Sequence, residues 1–211
     1  MKRVLKKSIK AICYSIAFLF SLIFNNLIVK SLNYMIELVN SINFKRKLKR
    51  HGNNIHISRA NVLEGLKFVE VGDDFSAGSG FWLGTYRTAE FNEPKIKIGN
   101  NVHCSRNVHI GAINEIIIED KVLIGSNILI TDHSHGNGYS ADIPISKAPL
   151  HSKGKVHIKE NTWICDSCII LPGITIGSNC VVAAGSIVTK SFDVDGVLIA
   201  GNPARIIKSL K

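Results

Sequence analysis

The sequence is poor in aromatic residues and lacks the usual signatures of nucleotide folds and disulfide scaffolds. Its 211 residues include only 9 Phe, 4 Tyr, 2 Trp, 2 Met and 5 Pro. No G-x-x-x-x-G-K-[ST] loop and no G-x-G-x-x-G turn occurs, which excludes the common phosphate-cradling loops. No G-x-S-x-G elbow occurs, so nothing supports an acyl-serine intermediate. The five cysteines (Cys13, Cys104, Cys165, Cys168, Cys180) are an odd set without a disulfide framework. Cys165 and Cys168 form a CxxC with no second pair, so no metal site is expected from them. Free thiols fit a cytoplasmic body.

Acidic residues are scarce in one region only. Residues 1–51 hold 11 Lys and Arg against a single acid, Glu37, while residues 52–211 hold 15 of each sign. The net charge of +10 therefore sits wholly in the first fifty residues, and the neutral body argues against a nucleic-acid reader. Between Ala11 and Val29 the chain is apolar except for Ser15, Ser21, Asn25 and Asn26. No small-x-small cleavage site follows Phe24, which disfavours a secretory signal. Leu32, Met35, Ile36, Val39 and Ile42 then recur at helical spacing, and Lys45-Arg46-Lys47-Leu48-Lys49-Arg50 closes the segment. Apolar helices beside a polybasic run favour the cytoplasmic face of a membrane. Spanning and lying flat both remain open. Packing of these helices on a partner subunit is the plainer alternative.

What is abundant is a repeat. Ile158, Ile164, Ile170, Ile176, Val182 and Val188 follow one another at a constant hexapeptide step. Four positions after each of the first five stand Thr162, Cys168, Ile174, Cys180 and Ser186, mostly small. Ile98, Cys104 and Ile110, then Ile118, Ile124 and Ile130, keep the same step, with two extra residues near Ala112–Asn114. Val71-Gly72, Ala77-Gly78 and Leu83-Gly84 extend it upstream. A period of six fits neither a helix nor a simple two-sided strand. It fits a three-faced coil in which each hexapeptide gives one short strand and one corner. Three hexapeptides then make one turn, and successive turns stack in parallel. Cys168 and Cys180 fill small inward slots, and Pro172-Gly173 takes a corner.

These repeats, with Ile130-Thr-Asp-His-Ser-His-Gly136, Val156–Lys190 and Ala200-Gly-Asn-Pro-Ala-Arg205 and its Ile-Ile-Lys208 tail, resemble the hexapeptide-repeat acyltransferases over residues 96–210. The nearest resemblance is to sugar O-acetyltransferases of the maltose and galactoside type and to those of lipopolysaccharide, O-antigen and capsule biosynthesis. It implies a mainly β fold, a left-handed parallel β-helix over 52–202. Helices 1–51 precede it, and a short helix over 203–211, started by Pro203, closes it. The resemblance also implies a homotrimer and acetyl-CoA as acyl donor, with a sugar or polysaccharide precursor as acceptor.

The repeat stops at Ile130 and resumes at Val156, so residues 131–155 form a protruding loop, the usual place for function. It opens Asp132-His133-Ser134-His135. Removing a proton from a sugar hydroxyl needs a base, and imidazole suits neutral pH. An ungapped match to the family from Ile130 puts the base at His135, with His133 the alternative. Asp132 could orient the imidazole or bind the sugar. By the same resemblance, main-chain N–H groups of the turn Trp163–Asp166 would hold the oxyanion and Trp163 would line the pantetheine channel. Asp166 stands where relatives often carry Ser. CoA would run between subunits past Ala184, Thr189 and Lys190, with Arg205 and Lys208 at its phosphates. Two other readings compete. One is a gamma-carbonic-anhydrase-like zinc enzyme drawing on His103, His109, His133, His135, His151 and His157; the other is a non-catalytic membrane-bound scaffold.

Overall fold

The computed structural model describes residues 2–23, 26–136 and 144–210. Phe24, Asn25 and the loop segment 137–143 with Gly138 lie outside them. The chain divides into two compact units, Met1–Val39 and Asn40–Lys211, where charge and hydropathy set the expected boundary at 51. The first unit holds α1 (Lys2–Ile23) and most of α2 (Asn26–Lys47). Ile12, Phe18, Leu19 and Leu22 of α1 and Leu32, Met35, Ile36 and Val39 of α2 are exposed. Among the described residues, no helix is long and apolar enough to cross a membrane.

The second unit takes in the last turns of α2 because Phe44 is buried there, stacked at 6.3 Å on Phe75, which in turn meets Phe81. Beyond it the chain winds into a parallel β-helix with three faces. Face 1 carries Arg50–His51, Val69–Val71, Lys95–Ile98, Glu115–Ile118, Val156–Ile158 and Thr175–Ile176. Face 2 begins with His56–Ile57, Ser76–Ala77, His103–Cys104 and Leu123–Ile124, and continues with Trp163–Ile164, Val181–Val182 and Val197–Gly201. Face 3 carries Val62–Glu64, Trp82–Thr85, Val108–Ala112, Ile128–Thr131, Ile169–Ile170 and Ile187–Val188. The core is three inward ladders. One is Val71, Ile98, Ile118, Ile158 and Ile176; another is Ala77, Cys104, Ile124, Ile164, Val182 and Ile199; the third is Leu83, Ile110, Ile130, Ile170 and Val188. Burying each such aliphatic side chain stabilises the coil by about 1.5–3 kcal/mol. Cys168 and Cys180 occupy buried slots as expected, their thiols bonded to the carbonyls of Ala183 and Val194.

The corners explain the recurrent Asn. Asn101, Asn107, Asn127, Asn161 and Asn179 all have positive φ, a conformation that Asn tolerates better than most residues. Their amides bond up the stack, as from Asn107 to Asn127 (3.0 Å) and from Asn161 to Asn179 (2.7 Å). Aspartates brace neighbouring coils in the same way. Asp73, Asp120 and Asp195 accept the main-chain N–H of Asn53, Asn100 and Ser178.

Ladder partners are three bare hexapeptides apart only in the last coils, as from Ile169 to Ile187. Upstream the coils are longer and unequal, for Val62 pairs with Trp82, Trp82 with His109 and Leu129 with Ile169. Every extra residue leaves at one corner, where face 3 passes into face 1. The two residues near Ala112–Asn114 and the loop 131–155 both leave there. So does an insertion between Thr85 and Lys95 that the repeat pattern did not mark as a loop. The loop 131–155 returns as a hairpin, His133–His135 pairing antiparallel with Leu150–Ser152.

The tail departs from expectation. The helix expected over 203–211 is absent among the described residues, and Ala204–Ser209 is instead a strand, antiparallel to Val197–Gly201 at the end of face 2. The last coil leaves a row of unpaired main-chain groups at its edge, which a returning strand satisfies and a helix would not.

Candidate active site

The corner that collects the insertions also collects the titratable chemistry. Asp132 is fully buried at the base of the loop, which is costly for a carboxylate unless its oxygens are bonded. Its Oδ1 accepts the N–H of Ile113 (2.9 Å) and its Oδ2 that of Asn114 (2.8 Å). The two-residue bulge in the preceding coil supplies these donors. Oδ1 also lies 2.9 Å from Nδ1 of His133, whose side chain is 16% exposed. A carboxylate accepts only, so Nδ1 carries the proton and Nε2 is left with its lone pair outward. Thr131 Oγ1 lies 3.2 Å from the same Nδ1. His135, two residues on, is exposed opposite Leu150, and no described side chain bonds its ring.

Three residues that sequence reasoning did not place in the site line its wall. Tyr86, from the unmarked insertion, meets the His133 ring edge-on with centroids 6.2 Å apart. Burial, then the charge of Glu64, holds its phenol above the usual tyrosine range, so it remains a donor at neutral pH. Trp82 lies beneath His109 in the face 3 ladder with its ring against the imidazole, and its buried indole N–H has no hydrogen-bond partner among the described residues. His109 is pushed down to about 4 by burial first and by His133 second. Gly111, between the two histidines, is buried. A Cβ there would stand 3.4 Å from His109 Nε2 and 3.5 Å from His133 Cε1. The insertion was detectable, since Leu83 to Ile98 is a step of fifteen where the repeat allows six.

The proposed cofactor-binding residues are not gathered at this corner. Trp163 stands on face 2, 47% exposed, in register with Leu123 and Val181. Asp166 is at the corner between faces 2 and 3, and its Oδ1 accepts the Ser126 N–H at 2.6 Å. It thus belongs to the same bracing series as Asp73 and Asp120. The N–H groups of Trp163 and Cys165 are spent on the carbonyls of Cys180 and Val182. Ala184 is exposed one coil above Asp166. Thr189 and Lys190 follow the last strand of face 3, with the Lys190 ammonium 5.6 Å from the Phe192 ring centroid. Arg205 and Lys208 are exposed on the terminal strand, the Arg205 guanidinium bonded to the Ala204 carbonyl. A cleft of about 600 Å³ along face 1, lined by Glu70, Lys97 and Glu119 among others, contains none of these candidates. The zinc-enzyme reading needs its histidines together, but His157 is on face 1, His103 on face 2 and His109 on face 3. Among the described residues, no three potential metal ligands converge.

Residues 155–190 match the family model "Bacterial transferase hexapeptide (six repeats)". The chain is 34% identical over 146 residues to the Escherichia coli K12 protein named "Putative lipopolysaccharide biosynthesis O-acetyl transferase WbbJ", covering 66% of this chain and 71% of that one. The chain belongs to the hexapeptide-repeat transferases. Within that family its relatives are acetyltransferases, and it is an acyltransferase. The galactoside O-acetyltransferase of Escherichia coli K12 is 33% identical over 121 residues, 53% of this chain and 56% of that one. The chain thus spans little more than half of that relative. Among solved structures, the N-acyltransferase AntD of Bacillus cereus, in complex with dTDP and 3-hydroxybutyryl-CoA, superposes with a TM-score of 0.62 at 23% identity. That match covers 82% of this chain and 88% of AntD. A galactoside acetyltransferase in complex with coenzyme A gives 0.57 at 23% identity over 86% and 78% of the two chains. These likenesses give the fold of this family member as the left-handed parallel β-helix.

Proposed function

We propose that the protein is an acetyl-CoA-dependent O-acetyltransferase acting on a sugar hydroxyl, with His133 as general base and Asp132 fixing its tautomer. The observation that carries this reading is the buried Asp132 bonded to His133 Nδ1, which leaves Nε2 outward. Nε2 takes the hydroxyl proton as the acceptor oxygen bonds to the thioester carbonyl carbon. The C–S bond then breaks, and the CoA sulfur leaves with the proton returned by His133. His109, held near 4, is too weak a base for this role at neutral pH. The acceptor class, a cell-surface polysaccharide precursor, follows the name of WbbJ. The test is release of CoA thiol from acetyl-CoA in the presence of methyl β-galactoside, methyl β-glucoside or N-acetylglucosamine. Thiol release that depends on a sugar and yields its acetyl ester is expected; release that no sugar accelerates contradicts the reading.

A groove between copies of the chain accounts for the scatter of Trp163, Ala184, Thr189, Lys190, Arg205 and Lys208 away from His133. The exposed apolar strip Leu123–Trp163 on face 2 suits cover by a neighbouring copy, and a trimer closes such contacts in a ring. CoA would then lie between face 2 of one copy and face 3 of the next.

Residues 1–51 supply a tether to the cytoplasmic face of the membrane, with the exposed apolar helix faces in residues 1–39. Both helices expose apolar side chains, and Lys45, Arg46 and Lys47 end α2, each base adding about 1 kcal/mol on an anionic leaflet. Deleting residues 1–39 is expected to move the protein from the vesicle-bound to the free fraction in flotation with anionic liposomes, with sugar acetylation retained. Equal flotation of both forms contradicts the tether. A deletion to 51 also removes Phe44 and is expected to cost about 3–5 kcal/mol of stability.

A further inference from the structure

We propose that a pocket between the last turns of α2 and the first coil binds the headgroup of an anionic phospholipid, phosphatidylglycerol, through its phosphate. The inference rests on the reading of residues 1–51 as a membrane tether.

The pocket has a volume of about 240 Å³, below the span of about 300–1,000 Å³ typical of drug-sized sites, so it takes a small group. Its walls are held in place. Ser41 Oγ accepts the Ile57 N–H at 2.9 Å, and the Phe44 ring lies against Phe75, which ties α2 to the coil. Phe44 and Ile57, both buried, form the apolar part of the lining. Asn40, Asn43, Lys47 and Arg59 form the polar part, and no acid lines the pocket. Asn40 is half-buried and the other three are exposed. Among the described residues, none of these four side chains has a hydrogen-bond or ion-pair partner. Two cations and two amides that face one cavity with nothing in the protein to bond make a set of donors for an anion.

The lining also selects among anions. The guanidinium of Arg59 suits two oxygens of a phosphodiester at once, and the Lys47 ammonium adds a point charge. The glycerol hydroxyls of the headgroup can donate to the amide oxygens of Asn40 and Asn43. Phe44 and Ile57 suit the first carbons beyond the phosphate, which inorganic phosphate lacks. A free phosphate ion would lose hydration there and gain nothing from the apolar part. Phosphatidylcholine brings a quaternary cation towards Lys47 and Arg59, and that repulsion disfavours it.

Chain connectivity puts the pocket beside the leaflet. Asn40 directly follows Val39, the last residue of the first unit, and Lys47 lies only about two helical turns further along α2. A leaflet that takes up the exposed Met35, Ile36 and Val39 therefore brings headgroups to the pocket. Arg59 stands outside the polybasic run 45–50, so its contribution can be separated from general attraction to an anionic surface.

Flotation of the full chain with vesicles of phosphatidylcholine and phosphatidylglycerol gives the partition coefficient. Arg46→Gln removes a base of the polybasic run that does not line the pocket. It is expected to lower partitioning about fivefold, the factor for one base near an anionic surface. Arg59→Gln removes the same charge together with a charge-assisted hydrogen bond, so a loss of about fiftyfold is expected. Asn43→Ala changes no charge and is expected to cost about fivefold. All three side chains are exposed, so melting temperatures should stay at the wild-type value. Dihexanoyl-phosphatidylglycerol, added below its micelle-forming concentration, should displace wild type to the level of Arg59→Gln. Glycerol 3-phosphate and inorganic phosphate at the same concentration should not. Equal loss in Arg59→Gln and Arg46→Gln, with Asn43→Ala at wild-type partitioning, overturns the pocket and leaves the tether standing. Displacement by inorganic phosphate as effective as that by the short-chain lipid overturns the lipid assignment by showing a free-anion site. Failure of wild type to float with these vesicles overturns the tether on which the inference rests.

Discussion

Replacing His133 by Ala is expected to lower kcat by about 10²–10⁴-fold, the span for losing a general base. The KM for acetyl-CoA should change little. His135→Ala should stay within a few-fold of wild type. The contrast arises from burial. His133 is packed between Asp132 and Tyr86 with one nitrogen committed and the other outward, so its geometry is fixed before the acceptor arrives. His135 lies exposed on the hairpin, where holding a productive rotamer would cost side-chain entropy in each turnover. Steady-state kinetics on both variants with one sugar decide the matter. An inactive His135→Ala beside a near-normal His133→Ala would reverse the assignment.

Asp132→Asn is expected to lower kcat by about 10²–10⁴-fold and also to destabilise the fold. Each oxygen of Asp132 faces a donor: Oδ1 faces Ile113 N–H and His133 Nδ1, and Oδ2 faces Asn114 N–H. An amide has only one acceptor oxygen. If that oxygen serves Ile113 and His133, the NH₂ points at the Asn114 N–H, 2.8 Å away in wild type. If it flips, the NH₂ meets the Ile113 N–H and forces His133 into the wrong tautomer, with the proton on Nε2. Either orientation leaves a buried donor unmet, at about 1–3 kcal/mol. Thermal melts and kcat on the same preparation should both fall. A fully active, fully stable Asp132→Asn would mean that the carboxylate neither orients the base nor holds the bulge.

The repeat alone made most of the fold legible, because an inward aliphatic at every hexapeptide step has few other solutions. Ile158 through Val188 could be placed on their faces by counting, and the pause after Ile130 identified the loop. The base was harder to read. An ungapped count selects a position in a loop, but which imidazole is anchored depends on a carboxylate that becomes buried only when the bulge at 113–114 folds over it. The adjacency Asp132-His133 was the available signal. Gly111 and Tyr86 were invisible for another reason, and His109 was legible only as a candidate zinc ligand. They meet only because coils of unequal length stack Trp82 on His109 and His109 on Leu129. Those lengths follow from counting insertions in the upstream, noisier repeat. Asp166 shows the opposite case, a position matched to a cofactor contact whose side chain braces the Ser126 N–H. The tail failed because Pro203 suits a helix start as well as a turn, and only the unpaired edge of Val197–Gly201 decides between them.

The most direct measurement is a crystal structure of the full chain with CoA and the sugar it acetylates. The hydroxyl to be acetylated should lie about 2.6–3.2 Å from His133 Nε2. The CoA sulfur should face the same hydroxyl, and the Asp132–His133 bond should be intact. A sugar hydroxyl within reach of His135 and remote from His133, or a CoA sulfur on a face without His133, would contradict it.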